Sequence, residues 1–260
     1  MSACCRAAMP GCDQAAAGWT GIAGPADAPA ITTLLRERYA AAREFRLLRP
    51  EVIGWDGVQG AGGVAAGWDA SGGLVATMRA SMADSAAMAA AAMGVSVALP
   101  AACFPAVILG RAATRPGLAR GGINSLLRWH LLRAACAQGA RAALGLVYEE
   151  APRLGLMTAI GYRFATPARV WDDEVASARP PLLAWLAPDS LAPDGLAPDG
   201  LAPDGLAPDG LAHDGLADAV AALAPRVAQA AAAWPWRGMP PAIPRLTAGR
   251  PGMPVAGPAG

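Results

Sequence analysis

Apolar residues first fall into a regular pattern at Ile31, where Leu34, Leu35, Tyr39, Ala42, Phe45 and Leu48 recur at helical spacing until Pro50. With Thr32 or Thr33 placed to cap it, this stretch predicts an amphipathic helix. Met1 to Ala30 shows neither a helical nor a strand period and reads as a disordered or loosely attached lead-in. Val64–Trp68 and Leu74–Met82 are short apolar runs separated by Asp-Ala-Ser-Gly-Gly, which predicts two strands joined by a hairpin turn. Ser85 to Gly110 carries no charge, yet its prolines, Pro100 and Pro105, and its lack of flanking basic clusters argue against a bilayer span. It divides instead into an alanine-rich helix ending near Gly94 and apolar strands from Val95 and Phe104.

Phe104–Thr114 reads as a buried central strand, and a glycine-rich loop and a long helix follow it. Asn124 or Ser125 is placed to cap that helix, Leu126, Leu127, Leu131, Leu132 and Ala135 form its inner face, and Gly139 stops it. A strand over Ala142–Tyr148, a short helix over Pro152–Ile160 and a strand over Tyr162–Trp171 complete a mixed succession of strands and helices. After Trp185 the pattern breaks into pentads: Leu-Ala-Pro-Asp-Gly begins at Leu191, Leu196, Leu201 and Leu206, with variants at Leu186 and Leu211. One leucine per pentad cannot build a deep core, so the array reads as an acidic spacer rather than a calcium-binding repeat or a docking array. The domains expected are therefore a lead-in over 1–30, a folded domain over 31–185, a repeat linker over 186–217 and an Ala/Pro-rich tail over 218–260. In the tail, Asp218–Trp234 is read as one or two helical turns on either side of Pro225, and Pro235 onward as disordered, with docking of Trp234 and Trp236 left open.

Composition narrows the chemistry. The 260 residues carry a net charge of +1, which supplies no global field for nucleic acid or an anionic membrane. Every basic residue is arginine, which excludes a Schiff-base lysine and the lysine of an NTPase phosphate loop. The five cysteines include no Cys-x-x-Cys pair and the two histidines, His130 and His213, stand apart, so neither a zinc site nor a disulfide framework is predicted and a cytoplasmic setting fits. His130 reads as a packed or surface histidine. The N-terminus lacks the compact apolar stretch of a signal peptide.

The loop Arg115–Leu127, Arg-Pro-Gly-Leu-Ala-Arg-Gly-Gly-Ile-Asn-Ser-Leu-Leu, is where chemistry is expected. A strand, a tight glycine loop and a helix start place several backbone N–H groups at the positive end of a helix, an arrangement suited to a pyrophosphate. Gly121 and Gly122 allow close approach, Arg115 or Arg120 adds charge, and Ile123, Asn124 and Ser125 supply the first helical N–H groups.

In order and spacing, LVATMRASM, FPAVILGRAATRP, GLARGGINSLLRWHLLRAACAQG, ARAALGLVY and LMTAIGYRF resemble the acyl-CoA-binding core of the Gcn5-related N-acetyltransferase (GNAT) superfamily, over roughly Ile31 to Trp185. The resemblance implies an α+β fold, a central mostly antiparallel sheet flanked by helices. The family's loop pattern, Arg or Gln, two residues, Gly, one residue, then Gly or Ala, falls on Ala119 to Asn124, where Gly122 matches and the first and last positions do not. It implies that the strand through Leu109, Gly110 and Arg111 holds the pantetheine arm and presents an N–H to the thioester oxygen.

LLRERYAAAREFRLLRPEVIGWDG, LVATMR and LGRAAT look more narrowly like the lid and strands of autoinducer synthases and long-chain N-acyl amino acid synthases. There Ile108 stands in place of a glutamate and Gly110 in place of a serine, while Arg111 is retained. Met157 stands where many relatives carry an acidic tyrosine. Tyr148, Glu149 and Glu150 remain as candidates for proton handling, against solvated strand-end or cap roles. The implied activity is transfer of an acyl group from CoA or acyl carrier protein to an amine, with an amino acid taking a long chain as the favoured subtype and no permanently bound cofactor; the alternative is a catalytically degenerate binder of acyl thioesters or a partner protein. Trp19, Trp55, Trp68, Trp129 and Trp171 read as packing residues before tunnel linings.

Overall fold

A computed structural model describes residues 18–41, 54–55, 63–118, 121–147, 153–170, 181–188 and 215–247. Seven strands form one sheet in the order β1-β2-β3-β4-β5-β7-β6: β1 (Trp19–Ile22), β2 (Val64–Trp68), β3 (Leu74–Ala83), β4 (Ala106–Thr114), β5 (Ala142–Val147), β6 (Arg163–Ala165) and β7 (Leu182–Leu186). All neighbours are antiparallel except β4 and β5, which run parallel. Among the described residues five α-helices accompany them: α1 (Ala28–Ala41), α2 (Ala86–Met93), α3 (Ile123–Ala137), α4 (Leu154–Ala159) and α5 (Leu216–Ala233). The fold is thus α+β with a mostly antiparallel sheet, as the sequence predicts.

Strict alternation along the strands separates two faces. Val107 and Leu109 of β4, Ala143 and Val147 of β5, and Leu182, Ala184 and Leu186 of β7 point into a core shared with α3 and α5, the back face. Ala106, Ala142, Leu144, Leu183 and Trp185 point to the front, under α2, while α1 covers Val64, Ala66 and Ala113 on the same face.

Several local predictions hold for visible reasons. The β2–β3 turn is organised by Asp69, whose carboxylate accepts from the Ser71 hydroxyl (2.6 Å) and the Gly73 N–H (2.8 Å), while Gly72 supplies a φ of 84°. Ser85 caps α2 by accepting from the Met88 N–H at 3.2 Å, and Gly94 ends it with φ 70°. No helix among the described residues is long and apolar enough to cross a membrane.

Other expectations are corrected. Trp19–Ile22 lies within the expected lead-in but is the edge strand β1, paired along β2 from Trp19↔Trp68 to Ile22↔Ala65. Val95 makes an isolated bridge to Val170 rather than beginning a strand, and the last predicted strand contracts to the three residues of β6. Leu182–Leu186, read only as the end of the domain, is β7, inserted between β5 and β6 and buried along its whole length.

The largest correction is at the C-terminus. Leu216–Ala233 is one helix of 18 residues that continues through Pro225, and Leu216, Ala219, Leu223, Val227 and Ala230 on one side of it are buried. Trp129 Nε1 donates to the Val220 carbonyl at 3.1 Å, fixing α5 to α3. Beyond it residues 234–247 pack back on the sheet. The Thr20 N–H donates to the Pro235 carbonyl (3.0 Å) and the Arg237 N–H to Thr20 (2.8 Å), covering the outer edge of β1. The Met82 N–H donates to Pro244 and the Leu246 N–H to Met82, both at 2.8 Å, so the same strap fills the edge of β3 beyond the start of β2. Arg245 pairs with Asp84 alongside. Trp234 and Ile243 are each 4% exposed, so the strap is part of the core.

Candidate functional site

The sheet opens between its two parallel strands. β4 and β5 pair only over Ala106↔Ala142, Val107↔Ala143 and Ile108↔Leu144; beyond that rung β4 continues to Thr114 without pairing to β5. A Cβ on Gly145 would come within 3.0 Å of the Leu109 carbonyl, so a side chain on β5 just past the last rung would strike the β4 backbone. Here the absence of a side chain is what permits the narrow apex.

Along β4 the ladder to β3 breaks at the same place. The register jumps between Thr77↔Ala113 and Arg79↔Gly110, so Arg111 and Ala112 stand opposite one residue, Met78. Arg111 takes φ 49°, the left-handed conformation of a bulge residue, and it is the one non-glycine with positive φ among the described residues. The bulge shifts the alternation, so Leu109 and Ala112 both pack toward the back core while Ala113 faces α1. It also twists the strand where the neighbouring strand has left. On the front side a Cβ at Gly110 would meet none of the described residues within 4 Å, which leaves space among them beside the bulge. The Arg111 side chain crosses that side and its Nη1 donates to the Gly54 carbonyl at 2.7 Å.

The loop after β4 delivers the chain to α3. The cap predicted at Asn124 or Ser125 does not form: the helix starts at Ile123, and the N-cap is Gly122 with φ 74° and no side-chain hydrogen bond. A left-handed N-cap needs glycine, and Ala230 of α5 sits 3.2 Å from where its Cβ would be. The N–H groups of Ile123, Asn124 and Ser125 precede the first intrahelical donor and stand at the positive end of the helix. The Leu126 N–H donates to the Gly122 carbonyl at 2.9 Å, the first bond of the helix. Ile123 is 1% exposed and its Cδ1 lies 2.5 Å from where a Cβ on Gly67 would stand, so its side chain anchors the start of the helix in the core. Asn124 Nδ2 reaches Thr114 Oγ1 at 3.4 Å, linking the helix start to the end of β4.

Of the residues singled out from sequence, Leu109, Arg111, Gly121, Gly122, Ile123, Asn124 and Ser125 fall along the β4 bulge and the start of α3. Arg115 is turned to the hairpin: its Nη1 pairs with Asp69 at 2.9 Å and its Nη2 donates to the Leu74 carbonyl at 2.6 Å. Hydrogen bonds from Ser71 and Gly73, joined by Arg115, hold the Asp69 carboxyl down at about 2. A cavity of about 470 Å³ lies on this side of β4, between Thr33 and Glu37 of α1 and Leu74 and Arg115, away from the β4–β5 opening. Ala119, Arg120, Tyr148, Glu149, Glu150 and Trp171 lie outside the described residues, as do the pentads of 189–214. Ile108 is half-buried on the front face and Met157 is 3% exposed in the back core, so neither offers an ionisable group where the resemblance places one.

Among the described residues no group of His, Cys, Asp and Glu could hold a metal ion. His130 is packed, as read from sequence, between Trp129 (4.9 Å) and Trp236 (4.3 Å), and burial with nearby Arg133 lowers its pKa to about 4. Trp19 stacks on Trp68 at 5.7 Å, which makes both packing residues. Sequence reasoning passed over Arg128, 7% exposed inside the run Leu-Leu-Arg-Trp-His-Leu-Leu. A charge four residues after Asn124 and three before Leu131, on the apolar face of the helix, was the available signal.

Neither a family model nor a curated protein matches the sequence. Solved structures do resemble it in architecture. An acetyltransferase from Corynebacterium glutamicum described as histone acetyltransferase HPA2 and related acetyltransferase is 18% identical, with a TM-score of 0.45, over 65% of this chain and 95% of that one. A GNAT superfamily phosphinothricin acetyltransferase from Sinorhizobium meliloti, solved with AcCoA, is 17% identical with a TM-score of 0.46, over 65% of this chain and 86% of the other. N-acetylglutamate synthase from Neisseria gonorrhoeae, complexed with coenzyme A and N-acetyl-glutamate, is 14% identical with a TM-score of 0.43, and the match spans 34% of its length. At these identities no residue role passes from those proteins to this chain.

Proposed function

We propose that the chain is an N-acyltransferase that moves an acyl group from a CoA or acyl-carrier-protein thioester to an amine. One observation carries the reading: the parallel pair β4–β5 opens after Ile108↔Leu144 where β4 bulges at Arg111, and the same strand leads into an α3 start with no side-chain cap at Gly122. An extended pantetheine arm suits the first feature, since its amides can pair with a strand that has lost its neighbour. A pyrophosphate suits the second, since free helix N–H groups bind anions. In the reaction the amine nitrogen attacks the thioester carbonyl carbon, the carbon–sulfur bond breaks, an amide forms and the thiol leaves with the proton. In this reading a backbone N–H at the bulge, between Leu109 and Arg111, stabilises the oxyanion. With Ile108 and Met157 apolar, the ammonium proton leaves through water or through Tyr148 and Glu149.

The subtype proposed is a long-chain donor and an amino-acid-like acceptor, supported by the space among the described residues at Gly110 and by the link from Arg111 to Gly54 in the lid-like segment. The test is transfer from acetyl-CoA and from C12 to C18 thioesters to a panel of amines. Turnover with acetyl-CoA alone would remove the subtype. A Gly122→Glu variant confounds the test, because the left-handed φ and Ala230 both oppose a side chain. Gly121→Glu is cleaner: this residue is exposed, and among the described residues the added Cβ would meet only the Leu118 carbonyl, at 3.3 Å. It places an anion in the loop and is expected to abolish donor binding in a folded protein.

A second reading, a binder of acyl thioesters without turnover, is favoured by the burial of Met157 at 3% exposure where an acid would act. Coenzyme A binding with no transfer to any amine would select it.

A further inference from the structure

Arg128 is the buried ionic group that neither the fold nor the proposed reaction uses. It lies on the second turn of α3 and is 7% exposed. Its polar partners among the described residues are the Tyr162 hydroxyl, to which Nη1 donates at 3.3 Å, and the face of the same ring, 5.8 Å from the guanidinium carbon. No carboxylate of the described residues pairs with it. A guanidinium has five N–H donors and cannot shed its charge, so this one is largely uncompensated. Leucine or methionine would fill the same volume without that cost.

Its position gives the charge a use. Ile108, Leu144, Trp185 and Arg163 form one row across β4, β5, β7 and β6, the last closed rung before the strands part. Tyr162 precedes Arg163, 4% exposed in the back-face core beside that row. Side chains of a helix lean toward its N-terminus, so Arg128 extends over the turn that begins with Asn124 and Ser125. The buried cation and the first N–H groups of α3 therefore share the back face of the sheet. The Tyr162 hydroxyl accepts from Arg128 and keeps its own proton to donate. Together they offer a planar donor set suited to a phosphoryl oxygen.

We propose that Arg128, with Tyr162, binds a phosphoryl group of the acyl donor's carrier, deep to the α3 start. The proposal rests on the acyltransferase reading for the identity of the donor. It is tested by titrating coenzyme A, pantetheine, which lacks the phosphates, and inorganic pyrophosphate into the wild-type full chain and into Arg128→Met, Arg128→Lys and Tyr162→Phe. Arg128→Met is expected to weaken coenzyme A and pyrophosphate about tenfold or more. Pantetheine affinity should stay unchanged, and the unliganded Tm should equal or exceed that of the wild type. Arg128→Lys should fall between the two, and it keeps the test open if the methionine variant does not fold. Tyr162→Phe should weaken the phosphorylated ligands alone.

Coenzyme A affinity of Arg128→Met within twofold of wild type would overturn the proposal. So would a lower unliganded Tm with parallel loss of all three ligands, the mark of a structural arginine, or a change confined to the KM of the amine. If wild type binds pyrophosphate in an Arg128-dependent way but not coenzyme A, the anion site stands and the acyltransferase reading fails. If it binds neither, the site fails.

Discussion

Asp69 shows how one side chain can hold two distant parts of the chain. It closes the β2–β3 turn through Ser71 and Gly73 and ties that turn to Arg115 at the end of β4. Asp69→Ala is expected to cost about 1 kcal/mol in a denaturant titration, at the low end for hydrogen bonds to a charged group because the carboxylate is partly exposed. Its pKa is lowered to about 2 from 3.8, so this stabilisation is complete above pH 3.8 and is lost as pH falls through 2. The Asp69→Ala variant should show no such acid step. Gly122 is the residue with least latitude: a left-handed N-cap 3.2 Å from Ala230 should make Gly122→Ala destabilising by about 1 to 2 kcal/mol. The glycine pair and the turn around Asp69 are legible in sequence because glycine and aspartate announce local backbone geometry. Arg128 is legible only as a charge on an apolar helix face; its lack of a carboxylate partner among the described residues has no local signal.

At the level of elements, legibility followed local signals. α2 is bracketed by Ser85 and Gly94, and β2 and β3 by a turn of the right composition, so their limits emerge from the sequence. β7 is a short apolar run between prolines, which by itself specifies neither strand nor neighbour. α5 was hidden by Pro225 and by its alanine content; what makes it a helix is burial against α3, a tertiary effect that overrides the proline cost. Leu223→Ala, at a fully buried position, should therefore cost about 2 to 5 kcal/mol, far more than a change in a loose tail. His130 joins α3 to the strap through Trp236. Because burial depresses its pKa to about 4 from 6.5, the stability it contributes is full above pH 6.5 and declines as pH falls toward 4. A Tm profile over that window should flatten in His130→Phe.

Across the whole molecule, the described residues on either side of the pentads meet. Pro188 at its start and Gly215 at its end are in contact, with the Pro188 Cγ 2.8 Å from where a Gly215 Cβ would stand. α5 begins at the next residue and packs against α3. Removing Leu191–Gly210 should leave the Tm unchanged or slightly higher, by about 1 kcal/mol of loop-closure entropy, as differential scanning calorimetry would show. The sequence carried the sheet's class and the loop's place in it; it did not carry the return of the C-terminal strap to β1 and β3, because backbone pairing to Thr20 and Met82 leaves no side-chain signature. The central claim, an acyl-thioester cleft at the β4–β5 opening, meets its most direct test in amide hydrogen exchange of the full chain with and without coenzyme A. The account predicts new protection at Leu109–Thr114 and Ile123–Ser125, absent in Gly121→Glu. Bound coenzyme A that leaves both segments unprotected would contradict it.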